Sequence, residues 1–140
     1  MKAIIPIKIV KLEDGLHLLI SIRINGKKGR VLIDTGASHT VFDKSKISRF
    51  LKLEKLESHE KLSTGLGTNA MKSHLVVIEK IEIGRLPISK YKSVVIDLSH
   101  VNTAYAQLKI KPIDGVLGSD LLRKYQAVID YGKRKLTLVS

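Results

Sequence analysis

The sequence predicts a one-domain, predominantly antiparallel β protein, and three observations lead there. Apolar residues recur at every second position in several short runs, the period of a strand that buries one face. Clusters of Gly, Asn and Pro that turn a chain separate those runs. The length, 140 residues, suits one core rather than two, so a single lobe over 1–140 is expected.

The clearest alternation is Leu18, Ile20, Ile22 and Ile24, with Ser21 and Arg23 on the wetter face. Asn25-Gly26-Lys27-Lys28-Gly29 then turns the chain into a second strand, Arg30-Val31-Leu32-Ile33. Asp34-Thr35-Gly36-Ala37-Ser38 interrupts the apolar pattern, which resumes near Thr40-Val41-Phe42. Asp43 is placed to cap a short helix carrying Ile47, Phe50 and Leu51. Between Lys61 and Ile83 the pattern predicts two extended arms joined at the glycine-rich tip Thr64-Gly65-Leu66-Gly67-Thr68. Gly84-Arg85-Leu86-Pro87 reads as a turn and Ser93 to Leu98 as a buried strand. Val101, Tyr105 and Leu108 have the spacing of a short helix or a folded loop. A strand at Ile113 to Gly118 leads into a short helix begun by Ser119 or Asp120. Ala127-Val128-Ile129-Asp130 and Lys135 to Val139 close the chain as a hairpin around Tyr131-Gly132-Lys133-Arg134.

Composition removes several classes of function. With 44% hydrophobic and 27% charged residues the chain is built to fold. It has no Cys, which excludes disulfides, thiolate metal sites and a Cys nucleophile and suits a reducing compartment; a cytoplasmic protein is expected. The N-terminal apolar run is broken by Pro6 and Lys8, too early for a signal peptide, and no stretch reaches the roughly 18 apolar residues of a membrane span, so no membrane partner is expected. The five His residues, at 17, 39, 59, 74 and 100, lack metal-ligand spacing, so neither metal nor cofactor is predicted. A formal charge of +12 favours polyanions and acidic partners without specifying one. Lys27-Lys28-Gly29-Arg30 and Lys133-Arg134-Lys135 would suit a nucleic-acid-binding module, but the lysines are dispersed and only six residues are aromatic. Nucleic acid is therefore not the expected partner.

Asp34-Thr35-Gly36 is the constellation that carries chemistry. A carboxylate directly after Val31-Leu32-Ile33 belongs at the end of a buried strand, where it needs compensation. Thr35 brings a hydroxyl, and Gly36 permits a tight turn with N–H groups aimed at the acid. Such a carboxylate activates water if a second acid polarises the substrate carbonyl. The triplet occurs once in the chain, so a two-fold dimer that apposes two copies of Asp34 is the expected source of that acid. The pair should share one proton near neutrality.

Two motifs in order, Val31-Leu32-Ile33-Asp34-Thr35-Gly36-Ala37-Ser38 and Val116-Leu117-Gly118-Ser119-Asp120-Leu121-Leu122, resemble those of the retropepsin-like, single-domain aspartic proteases. The likeness spans about 7–139. It implies an all-β, closed-barrel acid-protease fold with a flap hairpin, one or two short helices and one lobe per chain. It further implies an aspartic endopeptidase, active as a homodimer on an extended peptide or protein substrate, with Asp34 as catalytic acid and base. Thr35 would bond across the dimer axis, Gly36 would meet substrate through its backbone, and Ala37 would complete the loop. Gly65, Leu66 and Gly67 correspond to the flap tip, and Val116 and Leu117 to pocket walls. The sequence departs from retroviral members at Ser38 and Ser119, where those carry an acid and an Arg that pair. A related expectation is a protease-like domain that only dimerises or binds peptide. Asp114, Asp120 and Asp130 are expected to serve turns and helix starts, and His39 the surface.

Overall fold

The computed structural model describes residues 1–51, 57–58 and 74–140. Strand β3 (Gly15–Ile24) carries the predicted alternation and organises the molecule. Its even residues Leu18, Ile20, Ile22 and Ile24 enter the main core, while Leu19 enters a second cluster on the opposite face. In chain order, β1 (Lys2–Pro6) and β2 (Lys8–Leu12) precede it, and β4 (Lys27–Ile33) and β5 (Val41–Asp43) follow. Next come β6 (Glu57–Ser58), β7 (His74–Ile83) and β8 (Leu86–Ile96). Helix α1 (Ser99–Gln107), β9 (Gly115–Leu117), helix α2 (Ser119–Lys124), β10 (Val128–Asp130) and β11 (Lys135–Val139) complete the chain.

Six strands, in the order β3-β4-β9-β5-β8-β7, form a ring that closes because β7 also pairs with β3, placing Arg23 opposite Glu82 and Ile24 opposite Ile81. Closure removes sheet edges and surrounds the main core. Most ladders are antiparallel, as expected, but β4 with β9 and β5 with β8 run parallel. Their parallel direction follows from the long connections between them, which a hairpin does not supply. A separate three-stranded sheet, β1-β11-β10, joins the two chain ends. Ala3, Ile5, Leu136 and Leu138 point from it into the main core.

Several local expectations change. The N-terminal strands β1 and β2 escaped the sequence reading, although Ala3, Ile5 and Ile7 alternate and are buried. Strand β8 begins seven residues before the predicted Ser93, directly after the turn at Gly84, whose φ is +61°. Asp43 caps no helix: it ends β5 as a buried residue, accepting hydrogen bonds from the Leu98 N–H at 2.9 Å and the Ser45 hydroxyl at 2.7 Å. The segment after it makes a single 3-10 turn, Ile47–Arg49. The segment read as a short helix or a folded loop is a helix over Ser99–Gln107 whose Tyr105 is fully buried with Leu19, Leu98, Ile113 and Val116, covering the barrel's outer face. Asn102 grips both backbone groups of Ile113 at 2.8 and 3.1 Å, fixing the approach to β9.

Candidate active site

Strand β9 lies between β4 and β5, parallel to the first and antiparallel to the second. The chain leaves β4 at Ile33, beside Leu117, and must pass over the end of β9 to enter β5 at Val41. Residues 34–40 make that crossing. The Asp34 N–H bonds the Leu117 carbonyl at 3.0 Å, and the Ser119 N–H bonds the Ala37 carbonyl at 2.7 Å, so both ends of the loop rest on the second motif. Gly118 is required by packing: a Cβ there would lie 2.6 Å from the His39 carbonyl group and 2.9 Å from the Ala37 oxygen.

Asp34 opens this loop, directly after β4, with its side chain exposed. Its Oδ1 accepts the Gly36 N–H at 3.0 Å, and its carbonyl accepts the Ala37 N–H at 3.2 Å. The tight turn expected of Asp-Thr-Gly is present. The expected burial is not: Asp34, Thr35 and Gly36 are exposed in the single chain, so water and one N–H compensate the carboxylate. Ala37 is half-buried, and His39 is exposed, as expected. Val116 and Leu117 are buried on opposite faces of β9, one in each core cluster. Gly65, Leu66 and Gly67, the expected flap tip, lie outside the described residues.

Beneath the loop lies a polar network that the sequence did not announce. Asp120, in the first turn of α2, reaches back instead of only starting its helix. Its Oδ1 accepts the Thr40 N–H at 2.9 Å and the Thr40 hydroxyl at 2.8 Å, while Oδ2 accepts the Tyr91 hydroxyl. Thr40 is buried, and its Oγ1 in turn accepts the Gly118 N–H at 2.9 Å. Burial disfavours the charged form of Asp120, but the hydrogen bonds from Tyr91 and Thr40 and from the Leu121 and Thr40 N–H groups outweigh it and hold the carboxyl below its usual range. Burial, followed by the adjacent carboxylate, pushes the Tyr91 hydroxyl well above the usual phenol range. Asp120 is thereby committed as a charged acceptor that ties β8, the crossing loop and α2 together.

The other acids near the barrel are also engaged. Asp114 is buried, with Oδ1 on the Arg49 guanidinium and Oδ2 on the Arg30 N–H, both at 2.8 Å. Asp130 accepts the Lys133 N–H at 2.9 Å within its hairpin turn, as expected. Asp34 is therefore the carboxylate of this group that is offered to solvent at the strand crossing. No helix of the described residues is long and apolar enough to cross a membrane.

Comparison with known proteins agrees with this geometry. A family model described as aspartyl protease matches residues 20–121, a span that holds the strand crossing and the whole polar network. Among solved structures, a retropepsin-like aspartic protease from Rickettsia conorii is 24% identical with a TM-score of 0.58, covering 99% of this chain and 90% of its own. The retroviral protease-like domain of Ddi1 from Leishmania major is 18% identical with a TM-score of 0.60, covering 87% of each chain. No match is found among curated proteins. The closed six-strand barrel, the loop laid over β9 and the family match together make this chain a member of the aspartyl protease family with the retropepsin-like fold.

Proposed function

We propose that the protein is an aspartic endopeptidase that works as a homodimer, its site completed by Asp34 from each of two subunits. The observation that carries this reading is the placement of Asp34: exposed, at the anchored start of a braced loop, with Gly36 fixing one oxygen. Two such loops meeting at a two-fold axis leave two carboxylates sharing a proton. The ionised one takes a proton from water as its oxygen attacks the scissile carbonyl, and the protonated one donates to the carbonyl oxygen. Collapse of the tetrahedral intermediate returns the proton to the leaving amine and breaks the C–N bond. Thr35 braces the paired loops across the axis, and the Gly36 backbone contacts an extended substrate. The absence of Cys supports a cytoplasmic setting.

Incubation with a peptide library from about pH 4 to 7, beside Asp34→Asn, tests the proposal. Cleavage that the substitution abolishes and a statine-like transition-state mimic inhibits is expected, from a protein that sediments as a dimer. A dimer that binds but never cleaves peptide would mark a non-catalytic peptide-binding domain instead.

A further inference from the structure

Away from the crossing loop the barrel carries a groove of about 840 Å³. Strand β4 forms part of its wall at Lys28, Gly29 and Arg30. Arg30 is four residues before Asp34, roughly 13 Å along an extended strand. Its exposed apolar residues are Ile4, Pro6 and Pro112, which form the floor, while Ile5, Ile7, Leu19 and Ile20 border it as buried core residues. The rim is cationic. Lys8, Lys28, Arg30, Lys46, Arg49 and Lys111 line it, against one carboxylate, Asp114.

That carboxylate offsets one rim cation, Arg49, through an ion pair at 2.8 Å. Asp114 is buried, and its two oxygens are taken by Arg49 and by the Arg30 N–H. Lys8, Lys28 and Lys111 are exposed and project around an apolar floor whose Ile4 is 54% exposed. Two chemistries are thus offered at once, apolar contact below and positive charge above.

We infer that this groove is a docking site for an extended acidic polypeptide segment that alternates carboxylates with aliphatic residues. Alternation presents the two kinds of side chain to opposite sides of an extended chain, so one set reaches the floor while the other meets the rim. Charge complementarity supplies steering and discrimination. A nucleic acid would satisfy the rim but not the floor, and none of the lining residues is an aromatic on which a base stacks. The site stands apart from Asp34, so its occupancy does not depend on the protease reading. If that reading holds, the groove recruits acidic protein substrates.

The experiment measures fluorescence anisotropy of labelled probes on the full-length Asp34→Asn protein, which separates binding from cleavage. The probes are a peptide of about twelve residues alternating Glu with Ile, a poly-Glu peptide of equal charge, and a single-stranded oligonucleotide of equal charge. The alternating peptide is expected to bind tightest. Its affinity should fall about tenfold in Lys28→Glu/Lys111→Glu and stay unchanged in Lys92→Glu/Lys133→Glu, which makes the same charge change outside the groove. All four positions are exposed, and circular dichroism and sedimentation verify fold and mass. Equal affinity for the three probes, the same loss in both double variants, or tighter binding of the oligonucleotide would overturn the inference.

Discussion

Removing the Asp120 carboxylate should loosen the loop that carries Asp34. Asp120→Ala deletes the acceptor of three hydrogen bonds and leaves the buried Thr40 and the Tyr91 hydroxyl without their partner. Each bond to a charged acceptor contributes about 1.5 kcal/mol or more, but Asp120 is half-buried and water recovers part of that sum. A loss of about 2–4 kcal/mol follows. A carboxylate that merely began a helix would contribute about 0.3–1 kcal/mol through the helix dipole. Asp120→Asn keeps an acceptor for Thr40 and can donate to the Tyr91 oxygen, so it should lose only about 1 kcal/mol. Urea unfolding followed by circular dichroism measures both. Tyr91→Phe completes a double-mutant cycle, and the Asp120–Tyr91 pair should couple by about 0.5–1.5 kcal/mol. If Ala and Asn cost the same and less than about 1 kcal/mol, the brace does not exist and Asp120 is a helix-start residue after all.

Other outcomes follow from the same geometry. Gly118→Ala drives a methyl into the backbone of Ala37 and His39 and should cost about 1–3 kcal/mol, read by thermal unfolding, with a larger loss of cleavage rate because the loop itself moves. Asp34→Asn, at an exposed position, should change stability by no more than about 0.5 kcal/mol while removing cleavage. The depressed Asp120 carboxyl gives stability that is present above the ordinary carboxylate range and lost as pH falls through its lower folded value. Wild type should therefore weaken below about pH 4, and Asp120→Asn should lose that part of the dependence in urea titrations. Tyr105→Phe deletes the hydrogen-bonding group between α1 and His17, 2.7 Å apart, and should cost about 1 kcal/mol; Tyr105→Ala, which empties a fully buried site, should cost about 3–5 kcal/mol by the same measurement.

The residues legible in the sequence were those whose role is local. Period-two apolarity in Leu18 to Ile24 gives a strand whatever surrounds it, and Asp34 makes its turn with the N–H groups of Gly36 and Ala37, two and three residues on. What stayed hidden depends on distant pairing. Asp43 looks like a helix cap because the residues after it have helical spacing, yet its carboxylate serves the Leu98 N–H, 55 positions away. Thr40 and Asp120 are 80 positions apart, and Tyr91 comes from the middle of β8, where the alternation of Leu86 to Ser89 breaks at Lys90. Gly118 offered a partial signal, since a glycine between an apolar run and a polar helix start suggests close backbone approach. The parallel ladders of β4 with β9 and β5 with β8 had none, because strand direction is set by the path of the connections.

The shared site is the central claim, and subunit mixing tests it most directly. Wild type and Asp34→Asn are combined at constant total concentration, allowed to exchange, and assayed for peptide cleavage as the wild-type fraction varies. If each site needs an Asp34 from both subunits, activity follows the square of that fraction, leaving about one quarter at equal mixing. A linear decline, with about one half remaining at equal mixing, would show that each chain works alone and would contradict the account.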